Sequence, residues 1–523
     1  MSQSPPTSRL HAIFKIKSGL NFWITCAIFL IWAVLYLPYL RTSPHWYGDE
    51  TLSLELGRNV FHGSTTYGPL KLTFWHSFAP YQPAYLWLVG LFSAITRGDI
   101  LGGRFFNTLL VLAMAYSIFV LGRGLFGIIP AFFGALLCLS YEQAIIHFRM
   151  IYCHNMVALG FTIMTLFLLR PSSPRNDWRV GCGLAIGSLA HPLFAYGAIA
   201  AFLSRIKVPR SWFRMASPPT LMLLLTFGWI IFHYGSADWL IKDLHALATY
   251  YANDSAYNSN AGQGLLTNMA VFFSQDFFHM GAAILMLLCL VSRFYAAGIC
   301  GLTISILLLQ NRQNLVGFYY EAIILFPILV ICWAAGISVC GMCMKKLLPW
   351  PHSKQTTYLV ALAMPAIFLF FNLPPVLSGK LIPRNQPWTT QRLSDVEAAA
   401  KWLNANTNPD DLVIANSNIA WLLKAKTADL LTVTAWEGYP VIFLNDTFTH
   451  DRFSYPASID SAKFLVIGDI DTIWTMNQPN VNHVIQALFS KGLTPVWTSQ
   501  TYTIFARAES GPFPPPTSVK KSP

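Results

Sequence analysis

Charge is scarce in this chain. Asp, Glu, Lys and Arg make up 11% of its 523 residues against 54% hydrophobic ones, and a mean hydropathy of +0.46 excludes an ordinary soluble enzyme. The 35 basic residues outnumber the 23 acidic ones, for a formal charge of +12, yet they form no single block. They gather where apolar runs end, which orients membrane helices and argues against a nucleic-acid surface. Cysteine is absent beyond Cys343, so the C-terminal portion has no disulfide framework whatever compartment it faces. Cys340 and Cys343 close an apolar run just before Lys345 and Lys346, with no second pair nearby. That placement fits helix packing better than metal or redox chemistry. No internal repeat is present. The first apolar run, residues 21–40, lacks charge and a small-residue cleavage site, so it reads as a membrane helix and not as a removable leader.

Apolar runs of spanning length recur. Arg9, Lys15 and Lys17 precede the first, which places residues 1–20 in the cytoplasm and the 41–103 loop on the outer face. Further spans are expected at 104–121, 126–146, 155–169 and 180–204. Both flanks of the last are basic, so the His191-Pro192 step is expected to break it into two short helices that go out and come back. Runs at 215–234, 265–291, 294–310, 316–341 and 356–374 bring the expectation to about eleven helices over residues 21–386, with the C-terminus outside. Composition then changes. Residues 387–510 read as a small α/β domain. Its helix at 394–405 is opened by a Ser394…Glu397 capping box, followed by a strand at 411–416 and a short helix at 419–425. A strand at 462–468, a helix at 481–490 and strands at 494–498 and 502–508 complete it. The Pro-rich residues 511–523 are expected to be disordered. The expected fold class is a polytopic α-helical membrane protein with a small C-terminal extracytoplasmic α/β domain.

Against so few charges, two adjacent carboxylates in the 41–103 loop stand out, because ionisable groups near hydrocarbon are costly. Asp49 and Glu50 open an expected helix running to Phe61, with Leu52, Leu56 and Val60 as its membrane-facing stripe. Asp49 shares that face, and Glu50 is turned about 100° away. An N-terminal acidic cap accounts for the pair without chemistry; a carboxylate poised as a base accounts for it with chemistry. Arg104 and Arg149, at outer helix ends, are either snorkelling side chains or cations for a phosphate. Asp49 and Glu50 are oxygen donors suited to a divalent cation, Mg2+ or Mn2+, but neighbours on a helix diverge and no third ligand is evident, so no metal ligand is assigned.

The order Trp46-Tyr-Gly-Asp49-Glu50, then Pro80-Tyr-Gln-Pro83-Ala-Tyr-Leu-Trp-Leu, then Gly103-Arg104-Phe-Phe-Asn107 resembles the GT-C glycosyltransferases, in particular the protein O-mannosyltransferases and the bacterial aminoarabinose transferases that modify lipid A. Residues 312–327, with Tyr319-Tyr320-Glu321, resemble a later Arg…Tyr…Pro pattern of the family. The run 412–423, with Ala415-Asn-Ser-Asn and Ala420-Trp421, resembles the tail domain of some bacterial members.

The resemblance implies GT-C architecture. It also implies transfer of a sugar from a polyprenyl-phosphate donor to a lipid, glycan or exported-protein acceptor on the extracytoplasmic face of the inner (plasma) membrane. Asp49 is then the catalytic residue, and Glu50, Lys71, Arg104, Arg149, His191, Tyr319 and Tyr320 surround the substrates. Arg104 and Arg149 would face the departing phosphate. The sequence departs from the family at three places. Gln82 stands where aminoarabinose transferases have a Lys, with Lys71 as the substitute; His154-Asn155 stands where relatives have an acid; His191 occupies a turn where many have Lys. The rival readings are a transporter or flippase for an amphiphilic anion, which the missing repeats disfavour, and an inactive scaffold presenting the α/β domain.

Overall fold

A computed structural model describes residues 7–64, 66–71, 83–234, 241, 245, 264–310, 319–347, 353–381, 390–441, 449–478 and 480–507. The expected disordered segment 511–523 lies outside the described residues.

The first helix, α1 (Thr7–Tyr36), starts earlier than its uncharged core suggests. It is tied into the bundle by polar atoms: Trp32 Nε1 donates to the Thr108 carbonyl at 2.8 Å and the Tyr36 hydroxyl to the Leu139 carbonyl at 3.1 Å. The following segment forms β1 (Trp46–Tyr47), α2 (Gly48–Phe61), β2 (Thr66–Tyr67), β3 (Leu70–Lys71) and α3 (Pro83–Ile95). Helices α2 and α3 touch backbone to backbone, since a Cβ on Gly90 would lie 2.1 Å from the Gly57 carbonyl oxygen. Only glycine permits that approach.

Next come α4 (Ile100–Phe126), α5 (Ile128–Ser140), α6 (Glu142–Phe148) and α7 (Cys153–Leu168). Asp99 caps α4 by accepting from the Leu101 amide, so the helix begins a turn before the expected Arg104. The single span expected at 126–146 is two helices meeting at 62°. The break expected at His191-Pro192 separates α8 (Pro174–Ser188) from α9 (Phe194–Ser204).

Beyond α10 (Pro209–Tyr234), the expected 265–291 span is again two helices, α11 (Leu265–Phe273) and α12 (Phe277–Leu290), at 119°. Asp276 forces that break: its carboxylate caps α12 through the His279 amide and receives the Tyr141 hydroxyl at 2.7 Å. The helices α13 (Tyr295–Leu309), α14 (Tyr319–Ala322), α15 (Phe326–Leu347) and α16 (Ser353–Leu377) complete the bundle. Among the described residues, four helices are long and apolar enough to cross a membrane alone, or six spans if each bent pair counts as one. Five further apolar helices are shorter, so length by itself does not reproduce the count of about eleven.

The C-terminal unit opens with β4 (Thr390–Gln391) and α17 (Leu393–Asn406). The expected capping box does not form. The cap position is Arg392 without a side-chain bond, and Glu397 instead reaches Arg41. Then follow β5 (Leu412–Ile414), α18 (Ser417–Ala420), β6 (Lys426–Ala428), α19 (Leu430–Trp436), β7 (Ala462–Ile467), α20 (Asp469–Ile473), α21 (Val481–Ser490), β8 (Leu493–Thr498) and β9 (Thr503–Arg507). The helix expected at 419–425 is a single earlier turn, because residues from Lys426 peel off into β6, too short a strand to show a period.

The sheet order is β6-β5-β7-β9-β8, parallel around β5 and antiparallel from β7 onward. Its alternation divides the two faces. Val413, Phe464, Val466, Ile504 and Ala506 join the core continuous with the helical bundle. Leu412, Ile414, Leu465 and Leu493 pack with α19, α21 and Leu70 of the loop.

Candidate functional site

The helix expected from Asp49 to Phe61 forms, and Leu52, Leu56 and Val60 are buried as expected. Leu54 and Glu55 are buried too, because α2 is covered by the bundle on one side and by the C-terminal unit on the other. The orientation of the acidic pair is the reverse of the expectation. Glu50 is fully buried, and Asp49 is half-buried.

Glu50 is directed at Arg104, also fully buried, in a two-pronged ion pair with Nε to Oε1 at 2.9 Å and Nη2 to Oε2 at 2.7 Å. The remaining guanidinium N–H groups go to the carbonyls of Leu40 and Pro44 (3.0 and 2.9 Å) and of His45 (3.3 Å). Glu50 Oε1 accepts in addition from the Ile151 amide at 3.0 Å. All five donors of Arg104 are therefore engaged inside the protein, which leaves none for a phosphate. Burying an ion pair is tolerable only when its remaining hydrogen-bonding capacity is met in this way.

Arg149 behaves alike. Its Nε donates to the Ser43 carbonyl at 3.1 Å, Nη1 to Leu35 at 2.9 Å and Nη2 to Pro38. It is fully buried, so snorkelling does not describe it either. Two arginines from separate helix ends thus hold the chain between α1 and α2 by its carbonyls. In the same way Asn107 and Asn155 brace the turn before α7. Asn155 Nδ2 donates to Asn107 Oδ1 at 2.9 Å and lies within reach of the His147 and Met150 carbonyls.

The carboxylates of Asp49 and Glu321 both act electrostatically on the Cys153 sulfur at the start of α7. Cys153 Sγ is 3.7 Å from His154 Nδ1, and the His154 and His191 rings lie 4.6 Å apart. The break between α8 and α9 is what delivers His191 here. Glu321 belongs to the Tyr319-Tyr320-Glu321 motif but was not singled out by the sequence, and neither was Cys153. Nothing in their spacing ties them to Asp49, which is some 100 and 270 positions away. Among the other expected site residues, Lys71 pairs with Thr66 in the β2–β3 hairpin, and Tyr319 and Tyr320 begin α14. The side chains of these three, and Gln82, lie outside what is described.

Cys153, His154 and His191 each offer a ligand atom, all within 4.8 Å of one another. A sulfur and two imidazoles suit Zn2+ rather than Mg2+ or Mn2+. The hydrogen bonding does not fit. His191 Nδ1 accepts from the Leu193 amide at 3.2 Å, so Nε2 carries the proton, whereas a ligating imidazole normally donates its second N–H outward. The Asp49–Glu50 pair does not present two carboxylates to a cation, since Glu50 is committed to Arg104. As placed, His191 is a hydrogen-bond donor.

The fold is that of a polytopic helical membrane protein with a small C-terminal sheet region. No family model matches the chain, and no curated protein matches it in sequence. Among solved structures it is similar to ArnT from Cupriavidus metallidurans in the apo state, at 12% identity and TM-score 0.63, covering 95% of this chain and 100% of that one. The same protein bound to undecaprenyl phosphate gives 14% identity, TM-score 0.63, and 95% and 99% coverage. The Archaeoglobus fulgidus oligosaccharyltransferase complexed with Zn and sulfate gives 14% identity and TM-score 0.52, with 92% of this chain covered and 73% of that one. At such identities the likeness is one of fold.

Proposed function

We propose that this protein is a membrane glycosyltransferase that moves a sugar from a polyprenyl-phosphate donor to a lipid, glycan or protein acceptor. The site lies on the extracytoplasmic face of the inner membrane, with residues 1–20 in the cytoplasm. The observation that carries the reading is the separation of roles within the acidic pair. Glu50 is locked to Arg104, whereas Asp49 is half-buried at the N-terminus of α2 and, like Glu321, lies within electrostatic reach of the Cys153 sulfur. A helix N-terminus favours negative charge. A carboxylate held there can orient an acceptor hydroxyl and take its proton as the bond to the sugar forms.

The donor phosphate needs hydrogen-bond donors where its charge develops. His191 Nε2–H is one, and it stands in the turn where the family resemblance implies a phosphate-binding cation. Arg104 and Arg149 act at one remove, by fixing the chain that leads into α2. Likeness of fold to a protein solved with undecaprenyl phosphate supports a lipid-phosphate donor.

The test is Asp49→Asn, with membranes given labelled polyprenyl-phosphate sugars and envelope lipids and exported proteins read by mass spectrometry. Transfer is expected to fall by about 100-fold or more, the usual weight of a general base, with expression and folding unchanged. An unaltered rate removes Asp49 from the chemistry.

A further inference from the structure

We infer that the C-terminal α/β unit is part of the catalytic apparatus, with Ser417 and Asn418 as positioning residues that grip the first turn of α2 and so aim Asp49. The inference rests on the reading of Asp49 given above. Both residues sit on α18, directly after β5, an interior strand of the sheet paired on both sides with β6 and β7. Asn418 is 1% exposed and Thr51, its partner on α2, 0%.

The network is consistent in its protons. The Ser417 hydroxyl donates to the Gly48 carbonyl at 3.0 Å. Thr51 Oγ1 lies 2.8 Å from that same carbonyl and 3.0 Å from Asn418 Oδ1. A hydroxyl has one proton, and Gly48 is already served by Ser417. Asn418 Oδ1, buried, has Thr51 as its donor. Asn418 Nδ2 in turn donates to Gln391 Oε1 at 2.7 Å, which also receives the Tyr502 hydroxyl. Gln391 lies in β4 and pairs with Trp46 across the antiparallel β1–β4 ribbon, and the Trp46 ring lies against Trp421 at 5.4 Å. A Cβ on Gly48 would meet Ile470 Cδ1 of α20 at 3.3 Å.

The residues around Asp49 are thereby held from two directions. Glu50 is fastened downward to Arg104 and to the Ile151 amide. Gly48 and Thr51 are fastened upward to the sheet. The backbone that carries the intervening carboxylate is held by both, and a site that must hold a base in line with its substrate loses rate when either side loosens. The Asn416-Ser-Asn418 run thus has a role in turnover although none of its atoms is required to touch a substrate.

The experiment uses full-length detergent-solubilised protein carrying Asn418→Leu or Thr51→Val, with Thr51→Ser as the conservative variant. Deuterium uptake across residues 46–56 is expected to rise several-fold in the first two, with uptake across 104–126 unchanged. Turnover of labelled polyprenyl-phosphate sugar is expected to fall about tenfold with donor KM unchanged, the scale of one buried hydrogen bond. Thr51→Ser restores both. Unchanged uptake in residues 46–56 overturns the grip, and raised uptake with full turnover overturns the positioning role. If the wild type transfers none of the labelled donors, the reading of Asp49 fails, while the uptake still decides whether the sheet holds α2.

Discussion

Arg104 gives both prongs of its guanidinium to Glu50 and every remaining N–H to the carbonyls of Leu40, Pro44 and His45. The pair joins the start of α4 to the start of α2 across the chain that connects α1 to the site. Arg104 has no donor to spare for a ligand, and both partners are fully buried.

Breaking this pair is therefore expected to unfold the loop before it affects any binding constant. Glu50→Gln or Arg104→Lys leaves an uncompensated buried charge or unmet donors, a loss of about 3–5 kcal/mol in comparable pairs. Thermal unfolding of solubilised protein reads this directly. A substitution at Arg104 that leaves the unfolding midpoint alone and weakens only donor binding returns that arginine to the role of a phosphate ligand.

His191 gives the opposite pattern. With Nδ1 held by the Leu193 amide, Nε2 carries the proton, and His191→Ala is expected to raise donor KM about tenfold with little change in stability, as one hydrogen bond to a charged group predicts. Equal KM for wild type and variant excludes that contact.

Metal removal is expected to do little. The tautomer fixed at His191 conflicts with ligation, so neither EDTA nor added Zn2+ should move the unfolding midpoint. A bound ion at 100 times its Kd would stabilise the fold by about 2.7 kcal/mol, a shift that differential scanning fluorimetry resolves.

A pH dependence is built into the C-terminal unit. Asp471 is buried at the start of α20, and burial first, then the neighbouring Asp429 carboxylate, pushes its carboxyl up to about 7, although the Gly468 amide and Asn416 Nδ2 pull the other way. The folded state binds this proton more tightly than the unfolded chain. Its contribution to stability is thus complete below the ordinary carboxylate range near 3.8 and is lost as pH rises through about 7. Unfolding midpoints are expected to drop between pH 5 and pH 8 in the wild type and to stay level in Asp471→Asn.

Much of the fold was legible because lipid-spanning helices and alternating strands leave long, redundant signals. Residues 21–40, the helix from Asp49 to Phe61, the helix break at His191-Pro192 and the helix at 481–490 each rest on several residues agreeing in period or flank. The bends at Tyr141 and Asp276 were not legible. Each depends on a polar partner supplied by another helix, Tyr141 on Asp276 itself. Nor was β6, three residues long and defined only by its pairing with β5.

The sequence by itself determined that this is a polytopic membrane protein, that an acidic pair begins a helix in the first long loop, and that a sheet unit follows the last span. Hydropathy and periodicity are properties of neighbouring residues, so they survive in one dimension. Which carboxylate turns inward was decided only in three dimensions. A 100° step around α2 sends Glu50 to Arg104 and leaves Asp49 half-buried, because burial of the guanidinium demanded a fully bonded partner. The assembly of Thr51 with Asn418, 367 positions apart, has the same origin. Long-range polar contacts follow from where packed helices and strands place their side chains, which no local pattern records.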